Sequence, residues 1–194
     1  MPELGNLLHS TQAETMLECY ARVLAHIESN DERCQTILDL GCWAGCLSNL
    51  IAKTWPDKSV YGVDRACSMI DALTDGEKPD NLEFYCVDVE NPEHLEGTSD
   101  LLISCFGFFE LEFKEIAEAT KRLSGDTGEL ILIYWNDSDE FVPNDDSHWD
   151  ASIDELIVEM TEAGWNIDTE NSNSVATPTV DGGYAAYLVF KPAA

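Results

Sequence analysis

Short apolar runs alternate along this chain with stretches whose apolar residues recur at helical spacing, and that alternation narrows the fold more than any other feature. Thr36-Ile37-Leu38-Asp39-Leu40 reads as a buried strand stopped by Gly41, and Leu47, Leu50 and Ile51 begin a helical stripe just after it. Ser59 to Asp64 and Leu82 to Val87 repeat the pattern, each followed by a short helix-compatible segment. Leu101 to Cys105 and Leu130 to Trp135 are nearly continuous apolar runs, as expected of central parallel strands covered on both faces. Phe113, Ile116, Ala117, Thr120 and Leu123 form a helical face between them, and Ile153, Leu156, Ile157 and Met160 form another beyond. Gly164 to Ile167 and Tyr184 to Phe190 close the chain as two strands with no helix between them, which suits an antiparallel pair. The expectation is a doubly wound α/β sheet of seven strands, mostly parallel, with an antiparallel C-terminal strand.

A chain of 194 residues supports one full core and not two ordinary ones. The first helix opens on a capping box, Thr11-Gln12-Ala13-Glu14, and carries Met16, Leu17, Tyr20, Leu24 and Ile27 on one face to about Ser29. The N-terminal residues have neither the basic start nor the apolar run of a signal peptide, and no later run approaches a membrane span. A soluble, cytoplasmic protein without a membrane partner is expected. The seven cysteines are odd in number and form no Cys-x-x-Cys pair, so free thiols are expected. Cys42 and Cys46 could share a helical face, but two ligands with no histidine near them do not make a metal site, and none is expected.

Charge is the unusual global property: 38 acidic residues stand against 10 basic ones, a net −28. Such a chain repels itself in dilute buffer, whereas molar salt shrinks the screening length to about 3 Å and removes the penalty. The composition points to a salt-rich, halophilic setting. From Arg122 to Lys191 no Lys or Arg intervenes, while fifteen Asp and Glu fall between Asp126 and Asp181.

Chemistry concentrates where the first strand ends, in Leu38-Asp39-Leu40-Gly41-Cys42-Trp43-Ala44-Gly45-Cys46-Leu47-Ser48. In open α/β sheets ligands bind beyond the carboxyl ends of central strands, where glycines let the backbone approach them. A dinucleotide fingerprint, Gly-x-Gly-x-x-Gly, fails, because Trp43 and Cys46 occupy its later two glycine positions. The stretch instead resembles motif I of the class I S-adenosylmethionine-dependent methyltransferases. Asp39, Gly41 and Gly45 match it, and Trp43 replaces the middle glycine.

Three further ordered matches follow. Asp64 ends the second strand where the family places the carboxylate that accepts both ribose hydroxyls, and Met69-Ile70 fall at its apolar positions near adenine. Asp88-Val89 ends the third strand, where the family's Asp takes the adenine amino group and the next backbone N–H meets the ring. Asp100 to Phe106 matches the fourth strand, whose end lies beside the methionine part of the cofactor. The resemblance covers nearly the whole chain. It implies a Rossmann-like fold, S-adenosyl-L-methionine as cofactor, and one domain over 1–194, with 1–30 a helical cap and 31–194 the sheet core. The cofactor residues it implies are Asp39, Gly41, Cys42, Gly45, Asp64, Met69, Asp88, Val89 and Cys105.

Methyl transfer from a sulfonium is a direct displacement, so positioning an acceptor lone pair in line is the main demand. Ser104-Cys105-Phe106-Gly107 lacks the Asn/Asp-Pro-Pro-aromatic motif of enzymes that methylate adenine or glutamine amino groups, and the Pro that cytosine-C5 enzymes carry before Cys. Cys105 is thus expected to pack, not to attack. Base candidates lie on loops after the fourth and fifth strands: His148, which titrates near neutrality, Glu110 and Tyr134. Asp137 is a lesser candidate, His9 could approach from the cap, and His26 and His94 read as structural or exposed. The acid-rich fifth-strand loop disfavours a polyphosphate acceptor, so a small neutral or cationic acceptor, and no nucleic acid, is expected. A non-catalytic binding or partner protein on this fold is the alternative, and an RNA or protein methyltransferase stands third. No motif specifies the oligomeric state.

Overall fold

The computed structural model describes residues 10–88, 99–107, 111–136, 153–176 and 184–193. The element order is α1 (Ser10–Ser29), β1 (Thr36–Leu40), α2 (Cys46–Thr54), β2 (Ser59–Asp64), α3 (Cys67–Thr74), β3 (Leu82–Cys86) and β4 (Ser99–Cys105). It continues with α4 (Phe113–Leu123), β5 (Ser124–Asn136), α5 (Ile153–Glu162), β6 (Trp165–Ile167), β7 (Asn173–Ala176) and β8 (Tyr184–Pro192). The strands join in one sheet of order β3-β2-β1-β4-β5-β8-β6, with β1 to β5 parallel and β8 antiparallel to both neighbours.

The alternation of apolar residues along each strand builds two cores, because successive side chains leave opposite faces of a sheet. Ile37, Leu101, Ile103, Ile131 and Ile133 meet Val23 and Ile27 of α1 and Leu47 and Ile51 of α2. Leu38, Leu40, Leu102, Leu130 and Leu132 meet Ile116 and Leu123 of α4 and Leu156 and Met160 of α5. Helices therefore cover both faces, as expected of a doubly wound sheet.

Three details differ from the sequence reading. Among the described residues an eighth strand joins the expected seven-strand path: β7 pairs the first half of β8 while β6 pairs its last residues. Asn173-Ser174-Val175-Ala176 is too short and too polar to announce a strand; its partner supplies the order. β5 begins at Ser124, directly after α4, and reaches Ser99 across a bulge, although Ser-Gly-Asp-Thr-Gly has turn composition. Cys67 and Cys86, expected as free thiols, form a disulfide with their Cα atoms 4.9 Å apart, inside the usual range for the bond. The register that sets Cys86 opposite Asp64 brings them together, and neither sequence spacing nor composition encodes it. Cys19, Cys34, Cys42, Cys46 and Cys105 are free. No described helix is long and apolar enough to cross a membrane.

The amino-terminal edge of the sheet is fastened by charge. Glu129, buried at the start of β5's central run, accepts from Arg33 Nη2 at 2.5 Å and lies 3.0 Å from His26 Nε2 of α1. Burial works to raise its carboxyl, and His26 and Arg33 outweigh that and hold it below the usual range. Lys58, buried before β2, donates to the Asp31 carbonyl and pairs with its carboxylate, both at 2.7 Å. Asp100 accepts the backbone N–H of Gln35 and Thr36, tying β4 to the entry of β1. Lys191 pairs with Asp168 at 2.5 Å.

Candidate functional site

At the opposite, carboxyl-terminal edge, β1 lies between β2 and β4, so the chain winds away from it in both directions and leaves a crevice there. Two turns meet across this point. Gly41 has φ +71°, and a Cβ on it would stand 2.5 Å from the Cα of Gly107, while a Cβ on Gly107 would collide with the Leu40 carbonyl oxygen. Only glycines let the ends of β1 and β4 approach this closely. The Gly41 and Cys42 N–H groups both donate to the Val63 carbonyl at 2.9 Å, which bends the loop over the end of β2. Gly45, at φ +67°, precedes α2, whose N-terminus no side chain caps. The N–H groups of a helix's first turn suit a carboxylate ligand.

Trp43 fills the family's middle glycine position without closing the loop. Its backbone adopts the left-handed conformation itself, φ 45°, and its side chain is 50% exposed. A left-handed non-glycine residue costs about 1–2 kcal/mol. A hydrogen bond offsets part of that cost, since the Trp43 N–H donates to Asp64 Oδ2 at 3.0 Å.

Asp64, at the end of β2, faces the glycine loop. Its second oxygen accepts the Ala66 N–H at 2.9 Å, so two backbone donors fix its orientation. A carboxylate offers about four lone-pair sites, which leaves room for two hydroxyls. Asp39, in contrast, is 2% exposed and turned inward, accepting Ser48 Oγ at 2.5 Å. Burial raises its carboxyl to about 6, against hydrogen bonds from the Ser48 side chain and backbone and with a further push from Asp64. Asp39 therefore anchors the first turn of α2 and shapes the loop. Met69 is half-buried on α3 and Asp88 is exposed just past β3. The glycine loop and the open lone pairs of Asp64 are groups that could hold a cofactor's carboxylate and hydroxyls.

Cys105 ends β4 half-buried, its thiol pushed well above the ordinary value by burial, then by Cys19 and Asp39. That agrees with a packing role. Tyr134 packs edge-on against Phe113 of α4, ring centroids 5.8 Å apart, on the sheet face opposite Cys105 and Asp39. Val89, Glu110 and His148 lie outside the described residues. Sequence reasoning missed Tyr20, assigning it only to the apolar stripe of α1. Its half-buried hydroxyl is pushed far up by burial, then by Cys105, Asp39, Cys46 and Cys19, so it stays protonated as a hydrogen-bond donor beside the crevice. A tyrosine in a helical stripe reads as core, and only the packing of α1 over this end reveals the group.

Comparisons with known proteins agree with the geometry. Residues 37–125 match a family model described as a methyltransferase domain. Over 68 residues the chain is 41% identical to a malonyl-(acyl-carrier protein) O-methyltransferase of Acetivibrio thermocellus, a match covering 35% of this chain and 24% of that protein. The chain thus spans about a quarter of the length of that curated relative. Among solved structures, a putative sarcosine dimethylglycine methyltransferase from Galdieria sulphuraria superposes with a TM-score of 0.74 at 11% identity, covering 94% of this chain and 88% of the other. The magnesium protoporphyrin IX methyltransferase of Synechocystis with bound SAH gives 0.68 at 18% identity, over 97% and 90%. The glycine turns, the strand order and the matched segment converge: residues 37–125 match a methyltransferase domain, on a fold shared with solved S-adenosylmethionine-dependent methyltransferases.

Proposed function

We propose that this protein transfers the methyl group of S-adenosylmethionine to a small neutral or cationic acceptor by direct in-line displacement. The bound cofactor supplies an electrophilic methyl group, and the chain supplies position. Asp64 accepts the ribose hydroxyls, Asp88 and Val89 meet adenine beside Met69, and the backbone of Gly41, Cys42, Gly45 and Cys105 borders the methionine part. Asp39 keeps the glycine loop in shape, and Tyr20 offers its neutral hydroxyl on the α1 side. Where the acceptor must lose a proton, the groups assigned to take it are His148, Glu110 and Tyr134.

The observation that carries the acceptor class is the groove between the starts of α4 and α5, about 470 Å³ in volume. Glu112, Asp154, Glu155 and Glu159 line it, with Lys114, over Phe113 and the half-exposed Val158. Phe113 in turn touches Tyr134 at the end of β5. Nucleic-acid binding draws most of its affinity from Lys and Arg contacts to phosphate, and this rim is predominantly acidic. The relatives named as methyltransferases of sarcosine, of an acyl-carrier-bound malonyl group and of a porphyrin support a small or carrier-borne acceptor over a polymer. The test is methyl-labelled cofactor added with the protein to a cell extract at about 2 M KCl. Label is expected in the small-metabolite fraction; label chiefly in RNA, DNA or protein overturns the acceptor class. Failure to bind S-adenosylhomocysteine in calorimetry overturns the enzymatic reading altogether.

A further inference from the structure

The disulfide stands where β3 ends and α3 begins. Cys86 is the last residue of β3 and lies opposite Asp64 in the strand register; Cys67 opens α3, three residues after Asp64. The Val87 N–H donates to the Asp64 carbonyl at 3.1 Å, and Asp88 follows. The bond therefore spans the two segments that carry Asp64 on one side and Asp88 on the other. Both half-cystines are exposed and open to exchange. Cys19, Cys34 and Cys42 are buried, with their thiols pushed upward by that burial, so they exchange poorly.

The disulfide adds a covalent tie at the start of α3, where the Ala66 N–H donates to Asp64 Oδ1. The helix has 8 residues, its N-cap Ala66 makes no side-chain cap bond, and Ile70 is its one fully buried residue. An isolated helix so short is unstable in water. A covalent tether at its first residue reinforces the 65–67 turn beside Asp64.

We propose that Cys67 and Cys86 form a redox latch on the adenosyl side of the cofactor site. The disulfide holds the turn against the end of β3 and the cofactor binds tightly; the dithiol releases the turn and the cofactor binds weakly. This rests on the assignment of Asp64 and Asp88 to the cofactor. The oxidant is a low-molecular-weight disulfide, RSSR. One cysteine thiolate attacks it and expels RS⁻, giving a mixed disulfide, and the second thiolate then displaces the other RS⁻. Two electrons and the two thiol protons end on two RSH, and reduction runs the same steps backward.

The test compares the protein with its Cys67→Ser/Cys86→Ser variant, each equilibrated with reduced or oxidised dithiothreitol in about 2 M KCl. Alkylation counts the thiols, calorimetry measures S-adenosylhomocysteine affinity, and amide hydrogen exchange follows residues 65–74. The oxidised parent is expected to bind about fivefold tighter than the reduced parent, with slower exchange across 65–74, and the double variant to resemble the reduced parent in both buffers. Equal affinity and equal exchange in two states that alkylation distinguishes overturns the latch. So does an undiminished redox response in the double variant, which would point to exposed Cys46. Slower exchange with unchanged affinity also overturns it; in that case Asp64→Ala shows separately whether the cofactor assignment stands.

Discussion

The two edges of the sheet solve the same problem, a chain with net charge −28, in different ways. At the amino edge scarce cations meet partners of opposite charge or an aromatic face: Arg33 with buried Glu129, Lys58 with Asp31, Lys191 with Asp168, and Lys121 over the Trp165 ring. At the carboxyl edge Asp39 and Asp64 are held by a hydroxyl and by backbone N–H groups, with no lysine or arginine bonded to either among the described residues. The difference separates two tasks. Ion pairs close the end that only has to be stable, whereas neutral donors leave carboxylate lone pairs available at the end that has to bind.

Changes at each edge test that separation, beginning with the largest expected effect. Gly107→Ala drives a methyl group into the Leu40 carbonyl and parts the ends of β1 and β4. We expect cofactor affinity to fall about a hundredfold or more, with a loss of stability as well. Calorimetry on the folded variant checks it, and unchanged affinity would show that the crevice does not lie at this switch point.

Asp39→Asn tests the buried carboxylate through pH. Its folded value is raised to about 6 against about 3.9 unfolded, so between these the folded state holds a proton the unfolded state has lost. Stability contributed by the protonated form is complete below about pH 4 and lost as pH rises through about 6, on the order of 3 kcal/mol in all. Asparagine cannot ionise. The stability of the variant relative to the parent should therefore climb between pH 4 and pH 7 in denaturant titrations; a constant offset refutes the raised value.

Glu129→Ala removes the common partner of His26 and Arg33 and should cost about 2–3 kcal/mol of stability while leaving cofactor affinity as it was. Loss of affinity in that variant would mean that the two edges are coupled. Asp64→Ala should do the reverse, weakening cofactor binding at least about tenfold, with Asp64→Asn milder. A folded Asp64→Ala variant that binds normally removes Asp64 from the ribose.

Much of this was legible in sequence because it depends on local patterns. Apolar runs and period-3.6 spacing located most of the described helices and strands, and the glycine turn after β1 marked the crevice. Asp64 could be placed at the end of β2 because the end of a strand is a position the sequence shows. What it could not show was partnership between distant segments. β7 exists because β8 offers it an edge, and the strand order follows from which apolar faces find each other in space. Asp39 and Asp64 have the same side chain in similar strand-end positions, yet only packing turns one inward to Ser48 and leaves the other toward the crevice. Cys67 meets Cys86, and Tyr20 feels the charges of Cys105 and Asp39, through the register of β2 on β3 and the seating of α1. Local composition fixes periodicity and turns because those need only neighbours in the chain; charge state, burial and covalent pairing depend on neighbours that the fold alone brings together.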